Sequence, residues 1–414
     1  MPSTSPPDAF AALRRMSGAT WLSLLLLTGC GGGSSPSAPP LATAPATINL
    51  YPTQSSAVGS RLFVFVTAVG ETPVNMPLGF DTGSAGITLY APDIFPQSMV
   101  TSAGFAFAGA AASLSYGGIT VLNQQGRRVY GTPALGRTEV GNIGYASVTF
   151  GDSSGALTTA VMPVFLYYQI LDDATGTPVP VPPEHGWFGV HDGAGLIDEG
   201  TPQAAEGFPA CAPDTLGSCY VASVLKYLEF GAGLHAGFLL QPAALQACDI
   251  TAAGSCRPAP ILTVGLTSGS VAGFSVTQLA CPPQEYAGPA SIAGFAVCQP
   301  AIADTLITVG GTDPGVLSGD SVLFDTGTPY MILNVPAGSA FPVSVPENAP
   351  VTVATPAGFD YTFTAGPPYG GAALTPLSVS VVLDAATTRS VVGVGFFTGH
   401  ALFIDFTART EGWQ

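Results

Sequence analysis

The chain repeats one short sequence, Gly79-Phe80-Asp81-Thr82-Gly83-Ser84, as Leu323-Phe324-Asp325-Thr326-Gly327-Thr328. Each copy lies between two apolar runs typical of β-strands: residues 76–80 and 87–90 for the first copy, 321–324 and 330–333 for the second. A single Asp-Thr-Gly would be an ordinary turn, since glycine permits a tight bend and small hydroxyl side chains bond to nearby backbone. Turn chemistry alone does not explain the duplication or the flanking strands.

The repeated residues Asp81 and Asp325 predict a pair of carboxylates at one site. Carboxylates that face each other across a symmetric cleft share a single proton, because like charges so close together cannot both ionise easily. Such a pair titrates as a unit with separated apparent pKa values. The duplication therefore indicates acid–base chemistry carried by both residues together.

The composition favours an all-β protein and argues against nucleic-acid binding. The chain has 414 residues, 47% of them apolar, enough for two lobes that each bury a core. Its 52 Gly and 38 Pro residues interrupt many apolar runs, which is typical of short strands and turns. Charged residues make up only 9%, the formal net charge is −16, and Lys226 is the single lysine. Phosphate contact requires clustered Lys and Arg, which this sequence lacks.

The first 46 residues have the features of an export leader and a tether. Two arginines precede an apolar stretch, residues 21–27, that is too short to span a membrane. The string Leu27-Thr28-Gly29-Cys30 resembles the lipobox of bacterial lipoproteins, in which the cysteine is lipidated. An ordinary signal peptide, with Cys30 merely nearby, is the alternative. We expect a signal peptide at 1–29, a flexible tether at 30–46, and an extracytoplasmic protein held on a bacterial membrane by its N-terminal lipid only.

Six further cysteines lie in the second half of the chain, and an even number in an exported protein suggests disulfides. Six cysteines allow 15 pairings. The simplest joins sequence neighbours: Cys211 with Cys219, Cys248 with Cys256, and Cys281 with Cys298. Zinc is disfavoured, because no pair has the close two-residue spacing and no histidine follows at ligand distance. We therefore expect three disulfides, and neither a metal nor another cofactor.

The two turns and their surroundings resemble the pepsin-like family of aspartic proteases, from about residue 47 to the end of the chain. The family opens with a strand, a Gly-x-Thr-Pro turn, matched here at 70–73, and the strand that delivers the first catalytic Asp. Pepsins also carry an apolar-apolar-Gly sequence on the strand behind each catalytic turn, and residues 187–190 and 391–394 match it. The resemblance implies a bilobal all-β fold with two pseudo-symmetric, barrel-like lobes and a cleft between them.

The pepsin flap, a hairpin that covers the cleft, begins with Tyr-Gly-Thr. Tyr130-Gly131-Thr132 matches this sequence, and the run at 141–151 resembles the return strand of the flap. Tyr116, followed by Gly117-Gly118, is the competing candidate for the flap tyrosine. We prefer Tyr130 because the strand after it matches.

In the mechanism that this resemblance implies, Asp81 and Asp325 hold one water between them. The ionised carboxylate acts as general base, and the protonated one donates to the scissile carbonyl. The match assigns supporting roles to six further residues: Gly83 and Gly327 let the backbone approach the carboxylates, Ser84 and Thr328 bond their outer oxygens, and Thr82 and Thr326 link the two turns.

Two departures from the family pattern concern the cleft. Pepsins usually have a tryptophan seven residues after the first catalytic Asp, hydrogen-bonded to the flap tyrosine, and Thr88 stands at that position. The interval from Asp81 to Gly189 is 108 positions, whereas Asp325 to Gly393 spans only 68, so we expect a trimmed second lobe.

The sequence thus predicts a monomeric aspartic endopeptidase with lobes at 47–200 and 201–414 that binds an extended peptide under a flap. A non-catalytic binding protein on the same scaffold is the alternative, since fold does not fix function. A dimeric retroviral-type protease is redundant, because one chain carries both motifs. A Ser-His-Asp triad has no nucleophile elbow to support it. We interpret His185 and the His191-Asp192 pair as loop residues without a metal-ligand pattern.

Overall fold

Apolar runs broken by glycine and proline fold here into a chain built of β-strands. The computed structural model describes residues 41–55, 59–130, 136–182, 184–199, 212–213, 219–281, 291–292, 294–299, 301–311, 314–367, 375–383, 385 and 389–414. Within those ranges there are 32 strands, three 3-10 helices and no α-helix. The signal peptide, Cys30 and most of the predicted tether lie outside the described residues.

The strands of the first half are β1 Ala46–Ser55, β2 Gly59–Val69, β3 Thr72–Asp81, β4 Ala85–Tyr90, β5 Val100–Thr101, β6 Gly104–Phe105, β7 Ser113–Tyr116, β8 Ile119–Tyr130, β9 Arg137–Ala146, β10 Val148–Asp152, β11 Gly155–Thr158, β12 Met162–Asp172, β13 Pro178–Val179, β14 Trp187–Val190 and β15 Gly195–Glu199. Those of the second half are β16 Ala212–Pro213, β17 Cys219–Val221, β18 His235–Leu240, β19 Gln246–Ala247, β20 Ala259–Leu266, β21 Ser275–Gln278, β22 Ser291–Ile292, β23 Phe295–Ala296, β24 Ile302–Val309, β25 Gly315–Phe324, β26 Met331–Val335, β27 Pro350–Ala354, β28 Asp360–Thr364, β29 Val379–Leu383, β30 Arg389–Val392, β31 Leu402–Asp405 and β32 Thr410–Trp413. The 3-10 helices are Ala91–Asp93, Val224–Tyr227 and Phe396–Thr398.

Two sheets organise the molecule, and each delivers one of the repeated turns. A 21-stranded sheet contains β3, which ends at Asp81. A seven-stranded sheet, in the order β28-β27-β24-β25-β30-β26-β29, contains β25, which is followed directly by Asp325. This bilobal all-β arrangement confirms the predicted fold class. The large sheet also includes the C-terminal strands β31 and β32, and the lobe boundary at residue 200 stays a prediction.

The strand behind each turn is the apolar-apolar-Gly strand identified in the sequence. Strand β14 pairs parallel with β3 and antiparallel with β4. Strand β30 pairs parallel with β25 and antiparallel with β26 in the same way. A Cβ on Gly189 would lie 2.6 Å from the Gly86 carbonyl oxygen, and one on Gly393 would lie 2.2 Å from that of Tyr330. Only glycine therefore allows these backbones to come so close behind the turns.

Aromatic side chains fill the core on the inner side of both turns. Phe80 packs against Phe188 with ring centroids 6.2 Å apart, and Phe324 packs against Phe396 at 4.5 Å. All four are buried. The C-terminal aromatic run also packs in the interior, since Phe396, Phe397 and Phe403 are buried and Phe406 packs against the main core cluster. The apolar residues on either side of each Asp thus fix the positions of the two turns.

Two of the three predicted disulfides are present. Cys248 is bonded to Cys256, and Cys281 to Cys298. The Cys211–Cys219 pair lies outside the residues whose side chains are described. Disulfides are typical of proteins from oxidising, extracytoplasmic compartments. In the described part of the chain, no helix has the length and apolar character needed to cross a membrane.

Candidate active site

The first turn holds the Asp81 carboxylate with two short-range hydrogen bonds. The backbone N–H of Gly83 donates to Oδ1 at 2.7 Å, and the Ser84 hydroxyl donates to Oδ2 at 2.6 Å. Asp81 is only 5% exposed. Both donors come from the three residues that follow Asp81, so the local sequence supplies these two contacts.

The second turn repeats these contacts atom by atom. The N–H of Gly327 donates to Asp325 Oδ1 at 2.6 Å, and the Thr328 hydroxyl donates to Oδ2 at 2.5 Å. Asp325 is 9% exposed. The hydroxyl groups of Ser84 and Thr328 therefore make equivalent contacts.

The two threonines join the turns to each other. Thr82 donates its backbone N–H to Oγ1 of Thr326 at 3.0 Å, and the N–H of Thr326 donates to Oγ1 of Thr82 at 3.0 Å. Each hydroxyl also donates across the interface, Thr82 to the Phe324 carbonyl at 2.8 Å and Thr326 to that of Phe80 at 2.6 Å. Both threonines are buried. This reciprocal network fixes the separation of the two turns.

The carboxylates of Asp81 and Asp325 lie side by side and are hydrogen-bonded to each other. A Cβ on Gly83 would lie 2.4 Å from Asp325 Cγ, and one on Gly327 would lie 2.6 Å from Asp81 Oδ1. Burial and the neighbouring charge of Asp81 raise the pKa of Asp325 well above its usual value, although Thr328 and Gly327 oppose that shift. The pair is therefore built to hold one proton.

The Asp pair opens into a cleft of about 1050 Å³ that both sheets line. Tyr130 lines this cleft at the end of the β8–β9 hairpin, where it pairs with Arg137. The competing candidate, Tyr116, packs instead against Phe95, with ring centroids 5.5 Å apart. Gly131 and Thr132 lie outside the described residues, and the movement of a flap over substrate stays a prediction.

A tryptophan from another strand lies against Tyr130. The Trp187 ring, at the start of β14, is 5.6 Å from the Tyr130 ring. The Trp187 backbone N–H donates to the Thr88 hydroxyl at 3.0 Å, so β14 brings this indole next to the position where pepsins usually carry theirs. The sequence match placed Trp187 only in the apolar-apolar-Gly strand, and its tertiary contact had no local signal.

Sequence reasoning missed several charged residues in the cleft. Arg61, Arg128, Glu139 and Glu184 line it together with the Asp pair. Burial raises the pKa of Glu139 to about 8, against the opposing effects of Arg128 and of a hydrogen bond from Thr88. A charged residue within a strand-like run was the only signal for Glu139.

The histidines flagged in the sequence form no site with the Asp pair. His185 is ion-paired with Asp93, and Nδ1 of His191 accepts a hydrogen bond from the Gly193 N–H at 2.9 Å. Asp192 forms an ion pair with the buried Lys226, whose ammonium also donates to the carbonyl of Ala296 at 2.6 Å. No group of three or more potential metal ligands occurs among the described residues.

One stretch of the chain, residues 151–155, matches the letters of the Gly-x-Ser-x-Gly nucleophile pattern. Gly151-Asp152-Ser153-Ser154-Gly155 forms the tight turn between β10 and β11, with Asp152 paired to Gly155. Asp152 accepts hydrogen bonds there from Asn49 and Tyr51. A nucleophile elbow requires a strand followed by a helix, so this hairpin turn gives no support to a triad.

No family model matches the chain, and no curated protein matches it in sequence. Solved structures do match it. An aspartic proteinase from Irpex lacteus has 16% identity and a TM-score of 0.52, with 89% of this chain and 97% of that one covered. Basic 7S globulin from soybean has 12% identity and a TM-score of 0.50, with 91% and 96% covered. At these identities the likeness shows the fold alone, which is the pepsin-like aspartic proteinase fold.

Proposed function

We propose that this chain is an aspartic endopeptidase that hydrolyses extended peptides in the cleft between its two lobes. One observation carries the proposal: two buried carboxylates, on turns with identical hydrogen bonds, contact each other at the cleft. A structural role for these turns would not require the two acids to meet. Placing two like-charged acids in contact costs free energy. A proton shared between them and a water that reacts there would give this arrangement a function.

The proposed mechanism divides one proton between the two acids. With its raised pKa, Asp325 holds the proton and donates it to the scissile carbonyl oxygen, while the Asp81 carboxylate takes a proton from the attacking water. Asp81 then gives its proton to the leaving nitrogen as the C–N bond breaks, and Asp325 regains a proton from the collapsing diol. Gly83 and Gly327 allow each turn to approach the carboxylate of the other, because a Cβ at either position would overlap that carboxylate. The pair titrates as a unit, so activity requires its singly protonated form.

Peptide cleavage by purified protein lacking residues 1–30 tests this proposal. We expect cleavage of a broad peptide library at acidic pH, fading as the second carboxylate ionises, and inhibition by a peptide with a central hydroxyl such as pepstatin. Asp81→Asn and Asp325→Asn should each abolish cleavage while the far-UV circular dichroism stays that of the wild type.

The non-catalytic alternative makes the opposite forecast. A binding protein would cleave no peptide between about pH 3 and 7, the range that brackets typical dyad titration. It would also bind peptides equally well with both Asp residues replaced. That combination of results would refute the enzyme proposal.

We also propose that the protein is an extracytoplasmic monomer held on a bacterial membrane, at its periplasmic face or at the cell surface, through lipid on Cys30. The lipobox-like sequence ending at Cys30 and the two disulfides support this location. Cys30→Ser should release the protein into the soluble extracytoplasmic fraction without loss of cleavage. Retention of that variant in the membrane pellet would contradict lipid attachment.

A further inference from the structure

The basic residues of this acidic protein are concentrated in the cleft. The whole chain has 26 acidic and 10 basic residues, yet the cleft is lined by four of each. The basic residues are Arg61, Arg128, Arg137 and Arg389, and the acidic ones are Asp81, Asp325, Glu139 and Glu184. The first three arginines come from the large sheet and Arg389 from the seven-stranded sheet, so both sides of the cleft contribute.

Arg128 is buried in the cleft wall with a hydrogen-bond donor unused. It is 3% exposed, and Nη2 donates to the Ala85 carbonyl at 2.6 Å. Its Nη1 is buried and has no hydrogen-bond partner among the described residues. The guanidinium lies over the Tyr130 ring, 5.0 Å from the centroid. A buried cationic donor without a partner is costly, and an incoming carboxylate would supply the partner.

Arg61 also has a buried hydrogen-bond donor without a partner among the described residues, and it lies close to the Asp pair. Its Nε is buried without a hydrogen-bond partner in the described part of the chain. Its guanidinium lies 5.6 Å from the Trp187 ring centroid and interacts electrostatically with Glu184, Asp325 and Asp81. Arg61 thus interacts electrostatically with both members of the Asp pair.

The acids of the cleft leave these arginines in excess. The Asp pair shares a proton in the proposed active form, and burial keeps Glu139, whose pKa is about 8, protonated in acid and at neutral pH. Burial also raises the pKa of Glu184. The cleft therefore carries net positive charge inside a protein whose overall charge is −16. A charged cleft with low-dielectric walls concentrates ligands of the opposite charge.

We propose that the cleft selects acidic peptides, and that Arg61 and Arg128 are the specificity-determining residues that bind Asp or Glu side chains beside the scissile bond. This inference rests on the proposed function, since it names the substrate class of the same cleft. Guanidinium groups suit it, because their forked N–H donors match a carboxylate in two parallel hydrogen bonds.

Matched peptide pairs that differ only in Glu versus Gln near the cleavage position test the selection. We expect kcat/KM to be roughly tenfold to a hundredfold higher for the Glu peptide, as charge-assisted hydrogen bonds imply. Arg61→Gln and Arg128→Gln should each reduce that ratio, and Arg61→Lys should retain part of it. Arg257→Gln, an exposed arginine outside the cleft, should leave the ratio unchanged.

Binding of an uncleavable peptide separates this inference from the proposed function. Peptides with a central hydroxyethylene isostere, in Glu and Gln versions that each have either an amidated or a free C-terminus, report affinity even if no peptide is hydrolysed. Tighter binding of the Glu version, lost in Arg61→Gln, supports acidic selection whether or not cleavage occurs. Equal affinity for both versions overturns it. A preference that appears only with a free C-terminal carboxylate also overturns it, because the arginines would then read chain ends.

Discussion

The two Asp-Thr-Gly turns are nearly identical within six residues and have equivalent strands behind them, but different side chains surround them in the cleft. Their carboxylates receive the same two local hydrogen bonds, and their threonines exchange the same bonds. Tyr130, Trp187 and Arg61 lie beside the cleft on the side of the large sheet. The paired carboxylates are therefore encoded locally and in duplicate, whereas these aromatic and basic neighbours are encoded once, by residues from separate strands.

The strongest test of this equivalence is to remove each carboxylate in turn. Asp81→Asn and Asp325→Asn should each reduce kcat by at least about a hundredfold to ten-thousandfold, because each removes a proton-transfer role that the other Asp cannot cover. Single-turnover peptide hydrolysis measures the loss. A variant of either residue that keeps wild-type kcat would show that the duplicated turns are not functionally equivalent.

Glu139 lines the cleft from the large sheet and has no counterpart in the duplicated turns. Its replacement should change how the free energy of unfolding depends on pH. Its pKa is raised from 4.5 to about 8, so its contribution is fully present below about pH 4.5 and is lost as pH rises through about 8. Glu139→Gln should remove that loss, which is on the order of 5 kcal/mol. Urea unfolding at pH 4.5 and 8.5 measures it.

The exposed Glu347 provides the matched control, since Glu347→Gln should leave the pH dependence unchanged. If Glu139→Gln keeps the wild-type slope, the burial of this carboxyl does not govern stability. The buried Asp192 and Asp320 have pKa values raised to about 6 and act in the same direction. The protein should therefore lose stability as the pH rises above about 4.

The threonine network gives a sharper comparison of the two turns. Thr82→Val and Thr326→Val each leave one buried backbone N–H unpaired, so each should lower the free energy of unfolding by about 1 to 3 kcal/mol. Because the bonds are reciprocal, the two losses should be equal within error. Denaturant titration of both variants measures the two losses. Thr352→Val, which removes one hydroxyl of an exposed threonine pair, is the control. Clearly unequal losses would show that one turn supports the other.

The smallest effect is expected at the aromatic contact that only one side possesses. Trp187→Leu removes the ring that packs on Tyr130, worth about 0.5 to 1.5 kcal/mol, so kcat/KM should fall by roughly threefold to tenfold. Phe363→Leu, which disturbs a ring pair with Tyr361 outside the cleft lining, should leave kcat/KM unchanged. Equal activity of wild type and Trp187→Leu would show that the indole does not position Tyr130.

These contrasts explain which features the sequence predicted. Some features depend on residues that are close together in sequence, and local patterns predicted them: the two turns, the glycines of β14 and β30, and two disulfides. The contact of Trp187 with Tyr130 joins residues 57 positions apart. The gathering of four arginines depends on how four strands converge. Such tertiary placement leaves no periodic or local signal, so the paired turns were predictable and the other charged and aromatic side chains of the cleft were not.

Lys226, the only lysine of the chain, is 7% exposed and ion-paired with Asp192 beneath the Phe406 ring. Every ε-amino group of the folded protein is thus shielded from solvent. An amine-reactive label can attach there only when this part of the core opens, so the labelling rate reports the free energy of that opening. The buried Lys226 side chain is therefore a single-site chemical probe of local unfolding.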